Sequence, residues 1–138
     1  MNELEKIKER ASCSTCYELF GIECNYGWYG LILPIIHAIE KYNDEQRKDN
    51  PEWVDITPTQ IKEKWGTLNI YAFVPEHIMD MIEKAEESSQ YICEDCGTPM
   101  NVGKVNKSWI RTLCRTCAGE NPETERGWKV NRETIVGI

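Results

Sequence analysis

A small α+β domain, built of helices and one antiparallel hairpin and followed by a C-terminal four-cysteine module, is the fold class the sequence predicts. Three observations carry that expectation. Apolar residues recur at intervals of three and four over 28–42 and again over 78–85. An alternating stretch, "WVDITPTQIKEKWGTLNIYAFV", lies between them, and "CEDCG" at 93–97 is answered by "CRTC" at 114–117. Length agrees, since 138 residues suit one compact core that buries roughly two-thirds of its unfolded surface. The natural divisions are an α+β body over 1–92, the cysteine module over 93–119 and a polar tail over 120–138.

Along the body, "NELEKIKERA" sets Leu4, Ile7 and Ala11 at helical spacing among charges, which predicts a short amphipathic helix. "SCSTCYELFGIECNYGWYG" reads as irregular chain because cysteines, glycines and aromatics are mixed without a period. Trp28, Leu31, Ile32, Ile35, Ile39 and Tyr42 then form the stripe of a buried helix. Pro34 is tolerated only near a helix start, so the helix is expected to begin near Gly30. It is expected to end near Asn43, where "NDEQRKDNPE" reads as a polar connector.

Residues 53–74 alternate on both sides of Gly66-Thr67 and read as a hairpin. "TPTQ" competes, because it matches a helix-capping box and would make 58–65 a short helix; the strand formers that follow favour the hairpin. "PEHIMDMIEKAEESSQ" predicts a further helix, with Ile78, Met81, Ile82 and Ala85 on one face. It delivers the chain to Cys93. The tail has room for one more strand.

The four thiols follow the spacing C-x2-C-x17-C-x2-C, in which two tight turns each present two thiolates to one tetrahedral ion. Gly97 supplies the left-handed residue such a turn uses. A knuckle, a hairpin and then two ligands at a helix start is the order of a treble-clef zinc finger. Cys93, Cys96, Cys114 and Cys117 are therefore the candidate ligands of one structural Zn²⁺, with no coordination position left for a reactive water. Lys104, Lys107, Arg111 and Arg115 lie in this module, and the preferred reading makes them counterions of a zinc–tetrathiolate centre of charge −2 rather than a phosphate-binding face.

Three cysteines remain. Cys13, Cys16 and Cys24 with His37 make a second candidate set of Cys₃His type, although the wide spacings favour buried thiols and an exposed histidine. Neither Cys24 nor His77 has a partner pattern that would activate a nucleophile, and no phosphate-cradling glycine loop is present. A non-enzyme is the expectation.

Net charge is −7, divided as −3 over 1–50, −5 over 51–92 and +1 over 93–138. No concentrated basic face is foreseen, so duplex nucleic acid and anionic membranes are poor partners, and small ligands or proteins are better ones. The N-terminal stretch lacks an apolar signal core and "LILPII" is too short to span a bilayer, which predicts a cytoplasmic, reducing location. The acidic surface of 40–63 is the expected face for a basic partner protein. Lys62, Lys64, Trp65 and Tyr71, with Trp28 of the neighbouring helix, form the candidate seat of a nucleotide-like ligand. Lysines would meet phosphate and an aromatic ring, Tyr71 or Trp28, would stack on a base, unless Trp65 packs in the core beneath a solvated pair of lysines instead.

"ECNYGWYGLI", "QIKEKWGTLNIYAF" and "YICEDCGTPM…WIRTLCRTCA", in that order across about 17–118, resemble a family of small phage and prophage proteins with a four-ligand zinc site. This chain departs from the family pattern at Asn69, where a basic residue is frequent, and at Cys117, where histidine is frequent. The resemblance implies a phage-encoded counter-defence protein in the host cytoplasm. Such a protein would capture a nucleotide-derived signal, alone or as a homo-oligomer, or occlude a host protein. A zinc-finger accessory or regulator that handles DNA or RNA is the third reading.

Overall fold

The computed structural model describes residues 22–106 and 110–119. The expected N-terminal helix, Cys13, Cys16, Lys107 and the tail lie outside these residues. The observed class is the expected one, a small α+β fold with three helices among the described residues and hairpins that are antiparallel.

The chain enters through a two-residue strand, β1 (Ile22–Glu23), passes a 3₁₀ turn at Tyr26–Trp28 and continues into helix α1 (Tyr29–Asp49). β1 falls where irregular chain was expected. It pairs in parallel with β2, Ile22 beside Ile61, and a two-residue strand is too short to leave an alternating pattern. α1 buries Leu31, Ile32, Ile35, Ile36 and Ile39, the face its periodicity implied. Pro34 lies inside the helix, and the carbonyl its missing N–H leaves unmatched belongs to Gly30, an exposed residue.

α1 also runs six residues past the expected end at Asn43. "DEQRKD" consists mostly of good helix formers, Arg47 pairs with Asp44 one turn back, and Arg47 and Lys48 favour the negative end of the helix dipole. The helix stops at Asn50, before Pro51. Asn43 is a buried bracket instead of a helix end. Its Oδ1 accepts from Trp53 Nε1 at 3.0 Å and from the Ile56 N–H at 2.8 Å, and its Nδ2 donates to the Ile56 carbonyl at 2.8 Å. Asn43→Ala is expected to cost about 2–4 kcal/mol, because it leaves three polar groups beneath the 53–56 segment without partners. Urea unfolding measures this; a loss under about 1 kcal/mol would mean the segment is held by other contacts.

β2 (Gln60–Lys64) and β3 (Thr67–Tyr71) form the hairpin, with Ile61 opposite Ile70 and Lys64 opposite Thr67. The capping-box alternative is set aside. Trp65 and Gly66 make a two-residue turn with φ of 55° and 77°, the double left-handed geometry that matches the twist of the strands. Helix α2 (Glu76–Ser89) begins directly after Pro75 and buries Ile78, Ile82 and Ala85 against α1 and β3. It also covers the outer edge of β3. The Leu68 N–H donates to Ser89 Oγ at 2.9 Å and the Ile70 N–H to Glu86 Oε2 at 2.9 Å, which removes a strand edge that would otherwise invite pairing.

The cysteine module adds β4 (Val102–Asn106), the antiparallel β5 (Ile110–Cys114) and a one-turn helix, α3 (Arg115–Ala118). Its own small core consists of Val102, Val105, Leu113 and Ala118 around the thiols. Among the described residues no helix is long and apolar enough to cross a membrane.

Candidate metal centre

Cys93 and Cys96 lie on a tight knuckle. The Gly97 N–H donates to the Cys93 carbonyl at 2.9 Å and the Cys93 N–H to the Thr98 carbonyl at 2.9 Å. Gly97 takes φ +83°, where a side chain would be strained. Cys114 ends β5 and caps α3, its Sγ accepting the Cys117 N–H at 3.3 Å, so the second pair sits at a helix start. The Asn101 carbonyl accepts the Arg115 N–H at 2.9 Å and ties the exit of the knuckle to that helix.

The four sulfurs of Cys93, Cys96, Cys114 and Cys117 lie within 4.8 Å of one another, and Cys96 Sγ stands 3.7 Å from Cys114 Sγ. A tetrahedral ion with metal–sulfur bonds of about 2.3 Å requires sulfur–sulfur edges of about 3.8 Å, whereas a disulfide requires about 2.05 Å. The cluster therefore fits a metal ion. Among the thiols themselves, burial and then hydrogen-bonded neighbours push Cys117 up, and burial raises Cys96 against the pull of the Thr98 N–H. Burial also pushes on Cys114, but the Cys117 N–H and the neighbouring thiols outweigh it and hold that thiol low. Four adjacent sulfurs do not ionise together without a cation among them.

What holds the knuckle was not legible in the sequence. Gly27 packs directly beneath it: a Cβ there would lie 2.1 Å from the Cys93 carbonyl oxygen and 2.4 Å from that of Glu94. The Gly27 N–H donates to the Glu94 carbonyl at 2.7 Å. Trp28, fully buried, donates Nε1–H to the Ile92 carbonyl at 2.9 Å. Asn25 gives its N–H to Glu94 Oε2 at 3.1 Å and Nδ2–H to Asp95 Oδ1 at 2.7 Å. Arg111 reaches the same two acids, at 3.3 Å and 2.6 Å. Burial raises Glu94, against the lowering pull of the Asn25 N–H and of Arg111.

Two bases of the module, Arg111 and Lys104, thus bind protein groups. Arg111 pairs with the knuckle carboxylates, and Lys104 Nζ donates to the Gly66 carbonyl at 2.9 Å, fastening β4 to the tip of the first hairpin together with Thr112 Oγ1, which donates to the same carbonyl. Arg115 is exposed. Of the second candidate set, Cys24 packs half-buried against the body core, where burial and then the charges of Glu94 and Glu63 push its thiol up to about 12, and His37 is exposed on α1.

The proposed ligand residues divide. Gln60, Lys62, Lys64, Thr67, Asn69 and Tyr71 share the outward face of the sheet, because opposite residues of an antiparallel pair point to the same side. Lys62 Nζ stands 5.6 Å from the Tyr71 ring centroid. Trp28 is corrected: at zero exposure it has no face to offer a base. Trp65 is corrected in the other sense, since it stands 69 % exposed at the turn instead of packing in the core. No protein-family model, curated protein or solved structure matches the chain.

Proposed function

We propose that this chain is a non-enzymatic, zinc-stabilised binding protein of phage or prophage type, which works in the host cytoplasm by sequestering a nucleotide-derived signal on the outward face of its three-stranded sheet. The observation that carries the reading is the grouping of Lys62, Lys64 and Tyr71 on one sheet face, with Trp65 exposed at the hairpin tip. Cation and ring already stand in contact there, and a phosphate with an attached base uses both kinds of group. Zinc is the metal that four thiolates in a closed tetrahedral site select, and its role there is structural. A Cys24 thiol pushed up to about 12 is a poor nucleophile, which supports a binding role.

Concavities walled by carboxylates do not suit an anion. The shallow one of about 410 Å³ beside the knuckle is lined by Glu23, Glu63 and Glu94 against the single Arg111. On this reading the ligand lies on the sheet, and a second copy facing the first would enclose it. Calorimetric titration with cyclic nucleotides and ADP-ribose derivatives tests this. One member of the panel is expected to bind with a Kd of about 1 μM or tighter, and Lys62→Ala or Lys64→Ala to weaken it at least tenfold while zinc content persists. Silence across the panel removes the reading.

A further inference from the structure

The second half of α1 and the segment 55–58 enclose a half-open cavity of about 220 Å³. Ile36 and Ile39 supply buried apolar wall, while Glu40, Asp44, Arg47 and Asp55 bring charge to it. Arg47 is committed to Asp44 and to Asp55, the latter at 2.9 Å. Glu40 is not so served: its Oε1 is buried and has no hydrogen-bond partner among the described residues. A buried carboxylate oxygen without a donor is an unfavourable arrangement that a donor from outside would relieve.

We propose that this cavity is the seat of a single lysine side chain on a partner protein, whose ammonium completes the hydrogen bonding of Glu40 while its methylenes lie along Ile36 and Ile39. The volume falls below the roughly 300–1,000 Å³ of small-molecule pockets, so it suits one side chain and not a nucleotide. Three carboxylates against one guanidinium leave the site at −2, which favours a cation. An ammonium on an apolar stem matches a polar end and greasy walls. The surroundings point to a protein and not a free amine. Residues 40–63 carry seven acids against four bases, and Val54, beside Asp55, is 84 % exposed, an apolar contact that a partner's backbone and neighbouring side chains can use. The inference is independent of the nucleotide reading, because no residue of the sheet face lines the cavity.

The test uses the zinc-loaded full chain, ¹⁵N-labelled, with the peptide Gly-Gly-Lys-Gly-Gly, its Nε-acetylated form and putrescine as probes. Amide shifts confined to residues 36–47 and 54–58 are expected with the free-amine peptide at millimolar concentration and not with the acetylated one. Glu40→Gln, which keeps the shape, is expected to weaken the peptide at least tenfold, and Asp44→Asn serves if that variant folds poorly. Val54→Ser is expected to weaken the peptide and leave putrescine unchanged. Lys62→Ala and Lys64→Ala are expected to change nothing here, whatever they do to nucleotides. Absence of shifts, or shifts indifferent to both carboxylate variants, overturns the site. Tighter binding of putrescine than of peptide, indifferent to Val54, overturns the protein partner in favour of a free amine.

Discussion

Stripping the metal is expected to unfold the 93–119 module and to loosen the body with it. Structural zinc in small sites contributes about 10–16 kcal/mol of folding free energy, as much as or more than the roughly 5–15 kcal/mol that holds a whole domain together. Contacts across the boundary carry the damage inward. The knuckle supports Gly27, Asn25 and Trp28 through the carbonyls of Glu94 and Ile92 and the carboxylates of Glu94 and Asp95. Lys104 and Thr112 hold the tip of the first hairpin. Purified reduced protein is expected to hold one equivalent of zinc, to lose it to a strong chelator or on acidification, since protons compete for the thiolates, and to lose cooperative melting at the same time. Cys114→Ser is expected to reproduce the loss. Reduced protein with accessible thiols and no metal, or an unchanged melting curve after chelation, would overturn the zinc assignment. A second equivalent would bring Cys13, Cys16, Cys24 and His37 back as a ligand set.

Replacing one hydrogen by a methyl group at Gly27 is expected to have the next largest effect. The added Cβ would meet backbone oxygens at 2.1 Å and 2.4 Å, and carbonyls pinned in a knuckle have no flexible side chain to swing aside. Gly27→Ala is therefore expected to cost about 3 kcal/mol or more and to weaken metal retention, because the carbonyls it displaces belong to a metal ligand and its neighbour. Gly30→Ala is the matched control. It lies three residues on, in α1, with nothing among the described residues within 4 Å of the added atom, and is expected to stabilise the helix by about 0.5 kcal/mol. Thermal melts of both variants with zinc in excess measure the contrast; equal effects would mean the close approach is relaxed in solution.

The hairpin tip shows how far local reading goes. Alternation placed the strands, and the register adds Tyr71 to the face that Lys62 and Lys64 share. It did not place Trp65, which reads as one more strand residue until the turn is known. A left-handed backbone at a bulky residue costs about 1–2 kcal/mol, so no propensity scale puts tryptophan there. The clamp that fixes the tip comes from residues 38 to 46 positions later, Lys104 and Thr112 on Gly66, and the Glu63 carboxylate accepts the Gly66 N–H from the near side at 2.7 Å.

By itself the sequence determined the four-thiol module, the two long helices with their buried faces and the hairpin. Each is written in spacing over a few residues, where the period of a helix, the alternation of a strand or the bite of a metal site is a local geometric requirement. The tertiary structure alone decided the rest. It buried Trp28 and turned Trp65 outward, paired β1 with β2, seated Gly27 under the knuckle, bound Asn25 to acids 69 and 70 residues away, and left one oxygen of Glu40 in a cavity without a partner among the described residues. These outcomes depend on which distant segments meet and at what distance. Residue type and local period leave that open, and close packing settles it only once the whole chain is in place.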